Sequence, residues 1–238
     1  MRIIKGPTVT QIRIFLQDTI PYTDLAIGKN FDQFKQKFFF AKAEIPFPFY
    51  EPGAPKVIKF SGGSVNIDNE SFLIKSLNFD ERKIVLIIEA SSDRADRVFD
   101  AIGEELKGID RYKNFSPSNY LIKTEETECT VHLDIDYCRF FSRKFLSFVK
   151  KSITKYPQQP LSKVRKVTLK SLSFEISFKQ DEILEDMRIS IVPKPFVIEP
   201  RVATREEDKI FYTRSPYDSE THLRLLRELE SFFTKAGI

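Results

Sequence analysis

Among its 238 residues the chain has no tryptophan, two cysteines, two histidines and eight glycines, and each scarcity closes off a class of chemistry. Cys129 and Cys138 stand nine positions apart in a stretch that reads as extended, which would hold them about 30 Å apart, too far for a disulfide. With neither a CxxC pair nor paired Cys/His spacing, a thiolate zinc site is disfavoured. The few glycines form no GxGxxG, Walker A or GxSxG motif, and Gly62-Gly63 reads as a hairpin turn instead of a phosphate loop. A serine or cysteine nucleophile would have only His132 or His222 as its base, and neither has such a residue placed beside it by sequence. Nothing in the sequence points to a cofactor.

Long apolar runs are also missing. No window approaches the roughly 18 to 20 apolar residues that span a bilayer. The opening MRIIKGPTVTQIRIF lacks the apolar core and small-residue cleavage site of a secretory signal, so the expected location is the cytoplasm, without membrane insertion.

What is present is an ordinary globular composition, 41% hydrophobic and 30% charged, with 23 phenylalanines. Phenylalanine buries a large area without a polar tip that needs a partner, so a core packed by Phe is expected. Residues 8–17 alternate, with Ile12, Ile14 and Leu16 on one face and Gln11, Arg13 and Gln17 on the other, as in a half-buried strand. Residues 23–40 place Ile27, Phe31, Phe34 and Phe38 on one helical side. Four prolines in residues 41–55 make that stretch a loop, within which Ile45 to Tyr50 (IPFPFY) is an apolar contact candidate. Strands are expected at 56–60, 64–67, 72–77 and 83–90, as an antiparallel meander with turns at Gly62-Gly63, Asp68-Asn69 and Asp80. A helix over 93–109 follows, with Val98, Ile102 and Leu106 on its apolar stripe.

The second half repeats this order. A strand is expected at 130–136, a helix at 139–155, strands at 164–178, 187–192, 196–204 and 209–213, and a helix at 219–236. Glu81-Arg-Lys-Ile84 echoes Glu207-Asp-Lys-Ile210, and the helices that follow open on Ser92-Asp93 and Ser219-Glu220. The expected fold class is therefore α+β, made of two similar β-α-(antiparallel sheet)-α units, residues 1–112 and 118–238. This element order resembles the double repeat of the TATA-binding-protein fold, whose sheet forms a saddle with helices on its back. The resemblance rests on no sequence motif and implies no site residues, and fold does not imply function.

Residues 139–170 hold ten Lys or Arg and no Asp or Glu; with a chain net charge of +4, all other residues together net −6. At about 100° per residue, Phe141, Phe145, Phe148, Val149 and Ile153 fall on one side of the helix and Arg139, Arg143, Lys144, Lys150, Lys151 and Lys155 on the other. Lys163, Arg165, Lys166 and Lys170 extend that cationic face if the next strand lies alongside, and Phe140 sits on it as a candidate anchor. The plainest reading is a solvated face balanced by acids from elsewhere in the chain. The functional reading is a non-catalytic binding or scaffolding protein that holds an acidic protein surface, with nucleic acid as the alternative partner.

Just upstream, Glu126, Glu128, His132, Asp134 and Asp136 share one face if the strand is unbroken. His132, Asp134 and Asp136 would then offer a divalent-metal site, the basis of a further alternative as a metal-dependent enzyme. A polar, solvent-facing strand is the more economical reading. Exposed edge strands leave homo-oligomerisation open.

Overall fold

The computed structural model describes residues 1–15, 20, 22–26, 28–45, 57–109, 113–136, 147, 171–176 and 194–235. In chain order they form β1 (Arg2–Ile14), α1 (Tyr22–Leu25), α2 (Gly28–Lys37), β2 (Lys42–Glu44), β3 (Ile58–Ile67), β4 (Glu70–Phe79), β5 (Lys83–Ile88), α3 (Ser92–Lys107), β6 (Ile122–His132), β7 (Leu172–Ile176), β8 (Lys194–Pro200), β9 (Ile210–Ser215) and α4 (Ser219–Lys235). This is a mixed α+β protein. The helix expected at 139–155 and the strand at 187–192 lie outside the described residues. No helix among those described is long and apolar enough to cross a membrane.

Two compact units emerge. The larger joins Gly6–Glu128 with Ser215–His222, and the smaller joins Met1–Lys5, Cys129–Arg214 and Leu223–Ile238. In the larger unit the strand order is β2-β3-β4-β5-β1-β6. β3, β4 and β5 make the antiparallel meander, and β1 pairs antiparallel with β5, with Gln11 opposite Leu86 and Arg13 opposite Ile84.

The β3–β4 hairpin turns at Asp68-Asn69, whose φ angles of 51° and 64° are the pair of positive values that a type I′ turn requires. Gly62-Gly63 makes no turn. Both glycines lie inside β3, which runs through as one strand where two were expected. The reason is steric. Gly62 takes a φ of 66°, and a Cβ on Gly63 would lie 2.4 Å from Cδ1 of Phe40 and 2.8 Å from the Phe38 carbonyl oxygen. Glycine is there so that the aromatic rim above β3 can close on it.

That rim belongs to the expected Phe-packed core. Phe34 stands 4.8 Å from Phe38, 5.2 Å from Phe60 and 5.6 Å from Phe79, ring centre to ring centre, in tilted and edge-on arrangements. From α3, Val98, Phe99, Ile102 and Leu106 complete the cluster, all fully buried. Such rings contribute through the large apolar area they remove from water, plus about 0.5 to 1.5 kcal/mol for each well-placed pair.

β1 reverses an expectation. Its buried face carries Val9, Gln11, Arg13 and Phe15, while Ile12 and Ile14 are only half-buried. The polar residues point toward α3, where they find partners, and the isoleucines take the opposite sheet face.

The smaller unit orders its strands β6-β9-β8-β7, with β7–β8 and β8–β9 antiparallel. Among the described residues its core comprises Cys129, Val131, Leu133, Ile135, Ile198, Phe211 and, from α4, Leu226, with Leu223, Leu229 and Phe233 packed against them.

Candidate functional site

Most of the cationic surface read from the sequence lies outside the described residues: Arg139, Phe140, Arg143, Lys144, Lys150, Lys151, Lys155, Lys163, Arg165, Lys166 and Lys170. The apolar loop from Ile45 to Tyr50 does too, apart from Ile45. The acidic row lies within the described residues. β6 ends at His132, so the row is not carried on one strand through Asp136. Beyond that end, Leu133 donates its N–H to the Lys209 carbonyl at 3.1 Å, and Ile135 donates back to the Leu133 carbonyl at 2.8 Å, folding the chain out of the pleat. Asp134 is exposed and held by the Lys209 ammonium, which keeps its carboxyl below the usual range. Its backbone N–H donates to Glu230 at 2.6 Å. Among the described residues no three His, Cys, Asp or Glu side chains converge where they could hold a metal ion.

Beneath α3 the structure assembles a polar cluster that no local pattern announced. Arg13, 3% exposed on β1, donates to Asp96 on α3, to the Pro117 carbonyl at 2.6 Å and to Gln11 at 3.1 Å. Its guanidinium lies 4.1 Å from the centre of the Phe99 ring and 5.2 Å from that of Tyr120. Gln11 donates to Asp96 at 2.9 Å and to Glu125 at 2.6 Å, and Lys123 bridges the same two carboxylates at 2.8 Å each.

Two cations face two carboxylates, so the cluster is neutral. Burial alone would raise the Asp96 pKa, but hydrogen bonds from Lys123 and Gln11 and the nearby positive charges outweigh it and hold it low. Burial alone would lower that of Lys123, and its hydrogen bonds to Asp96 and Glu125 raise it instead. Both groups stay ionised near neutral pH, so they position the strands and α3 and do not pass protons.

A second buried pair joins β9 to α4. The Ser215 hydroxyl and Nδ1 of His222 are 2.7 Å apart, and both residues are 0% exposed. Burial pushes the imidazole down to about 4, so it is neutral in the fold. The spacing is that of a nucleophile and its base, but the pair is sealed from any substrate, and its evident work is to satisfy two polar groups inside the packing. Cys129 is similar. It is a buried thiol 3.1 Å from the Thr213 hydroxyl, and burial raises its pKa away from the reactive thiolate.

Fold and side chains together define an α+β protein in which the polar groups around Arg13 and the Ser215–His222 pair are satisfied by one another. Comparison with known protein families, curated proteins and solved structures finds no match for the chain.

Proposed function

We propose that the chain is a non-catalytic intracellular binding protein, built from two copies of a β-α-sheet-α unit, that holds an acidic partner surface through the cations of residues 139–170. Charge segregation carries the binding reading: ten cations without a single acid in that stretch, against a net −6 elsewhere.

Two observations support the doubled unit. In the larger unit the first strand, β1, neighbours the last, β5, with α3 following; in the smaller, β6 neighbours β9, with α4 following. The order of neighbours outward, β5-β4-β3 in one and β9-β8-β7 in the other, is also alike.

The test is titration of the full chain with poly-L-glutamate by calorimetry at low and moderate salt, alongside K150E/K151E/K155E. Binding that weakens with salt, and by about tenfold or more in the triple variant, is expected. Absence of binding, or equal binding by the variant, rejects the reading. Preference for oligothymidylate, with a steep salt slope, transfers the face to nucleic acid.

A further inference from the structure

The α2–β2 corner presents a residue that local backbone chemistry argues against. α2 ends in a Schellman motif: Phe40 donates its N–H to the Lys35 carbonyl at 3.0 Å, and Phe39 donates to that of Gln36 at 3.2 Å. The motif requires a left-handed residue just past the helix, ordinarily glycine. Here Phe39 occupies it with a φ of 49°. A bulky side chain at positive φ is an outlier that persists only where something retains it, and such residues gather at functional sites. The packed neighbours on either side hold the backbone there, and the Phe38 carbonyl accepts from the Ser64 N–H at 2.8 Å, but the ring of Phe39 itself adds nothing to the packing. Phe38 and Phe40 point inward at 0% and 4% exposure, and Phe39 between them is 69% exposed.

The surroundings are basic. Lys37 and Lys42 are exposed and Lys35 half-buried, against one exposed acid on β2, Glu44, which stands opposite Lys59. Among the described residues no carboxylate pairs with any of the three, unlike Lys75, Lys83, Lys107, Lys123 and Lys209, each in an ion pair. Lys42 opens β2, which among the described residues is the terminal strand of the larger unit's order and pairs with β3. A terminal strand is a template for an added one.

We infer that this corner is a docking site for an extended acidic peptide segment of a partner protein, which lies along β2, sets an apolar side chain on the Phe39 ring and places carboxylates on Lys37 and Lys42. Strand addition supplies main-chain affinity and flanking side chains supply selectivity. The surplus of lysines favours an acidic peptide over a basic one, and the strand template favours a peptide over a nucleic acid. The site shares no residue with 139–170 and does not depend on the function proposed for that stretch.

The test uses the full chain and a fluorescein-labelled heptapeptide of glutamates with a central Leu-Glu-Phe, read by fluorescence anisotropy. F39G is the informative variant. Glycine suits the left-handed position, so its melting temperature is expected to equal or exceed that of the native chain, while affinity for the peptide falls about tenfold or more. K37E/K42E is expected to weaken binding similarly and to flatten its salt dependence. If the native chain does not bind the probe, or both variants bind it as the native chain does, the proposal is overturned. It is equally overturned if F39G instead abolishes binding of oligothymidylate, which makes the occupant a nucleic acid, or self-association in light scattering, which makes it a second copy of this chain.

Discussion

The backbone N–H of Ser92 donates to the Ser219 hydroxyl at 3.0 Å, and the N–H of Ser219 donates back to the Ser92 hydroxyl at 2.9 Å. These are the first residues of α3 and α4, and both are buried. The first amides of a helix have no intrahelical acceptor, and Ser91, at the α3 cap position, offers no side-chain bond. Each helix therefore completes the other's first turn. Removing one hydroxyl orphans a buried amide, at about 1 to 3 kcal/mol. S92A and S219A are each expected to lower the urea midpoint, with an interaction energy above about 0.5 kcal/mol in the double variant. Unchanged midpoints in both single variants would show that water replaces the bond.

Arg13 should not tolerate lysine. Its fork reaches Asp96, Pro117 and Gln11 at once while stacking on Phe99, and a lysine has neither the plane nor the number of fixed donors. R13K retains the charge yet is expected to lose about 2 kcal/mol, because buried acceptors on two elements go unsatisfied. Chemical denaturation measures it. A loss under about 0.5 kcal/mol would mean that charge alone, and not fork geometry, holds the cluster.

His222 gives stability a definite pH dependence. Its folded pKa is about 4, depressed by burial from an ordinary 6.5, so on acidification the unfolded chain takes up the proton first. The contribution of the neutral imidazole is complete above about pH 6.5 and is lost as pH falls toward 4, a decline approaching 3 kcal/mol. Asp96, Asp134, Asp218 and Glu230, all held low, lose their contributions only at lower pH, below ordinary values of 3.8 and 4.5. Urea midpoints between pH 7 and 5 therefore isolate the histidine. H222Q is expected to flatten that window, and a slope equal to the native one would assign it elsewhere.

The sequence was legible where periodicity and turn chemistry spoke alone. The strands around Asp68-Asn69, the apolar stripe of α3 and the Ser-acid opening of both helices followed from local spacing. It was misleading where tertiary partners decide. Gln11 and Arg13 read as a solvent face because their partners, Asp96 and Glu125, lie 83 to 114 residues away. The row His132, Asp134, Asp136 looked continuous because nothing in the sequence shows that Leu133 turns toward Lys209. Phe39 stands in a run of three phenylalanines, and only its backbone angle and exposure distinguish it. Charge segregation over 139–170 was legible from composition, which needs no tertiary partner to be seen.

Gly63 illustrates the same limit in a form that mutation can test. A Gly-Gly pair between two apolar runs carries the local signature of a hairpin, but here it belongs to a strand, because the ring of Phe40 occupies the space a side chain would need. Rotating the Phe40 ring would not relieve the crowding alone, since an added Cβ would also stand 2.8 Å from the Phe38 carbonyl oxygen. G63A should therefore cost about 1 to 3 kcal/mol by overpacking, despite the entropy it removes from the unfolded chain. Shortening the neighbour should restore part of that loss: G63A/F40L is expected to be less destabilised than the sum of G63A and F40L, by about 1 kcal/mol. Strict additivity in thermal and urea unfolding would place the strain in the backbone, with Gly62 and its φ of 66° as its source, and not in the contact with Phe40.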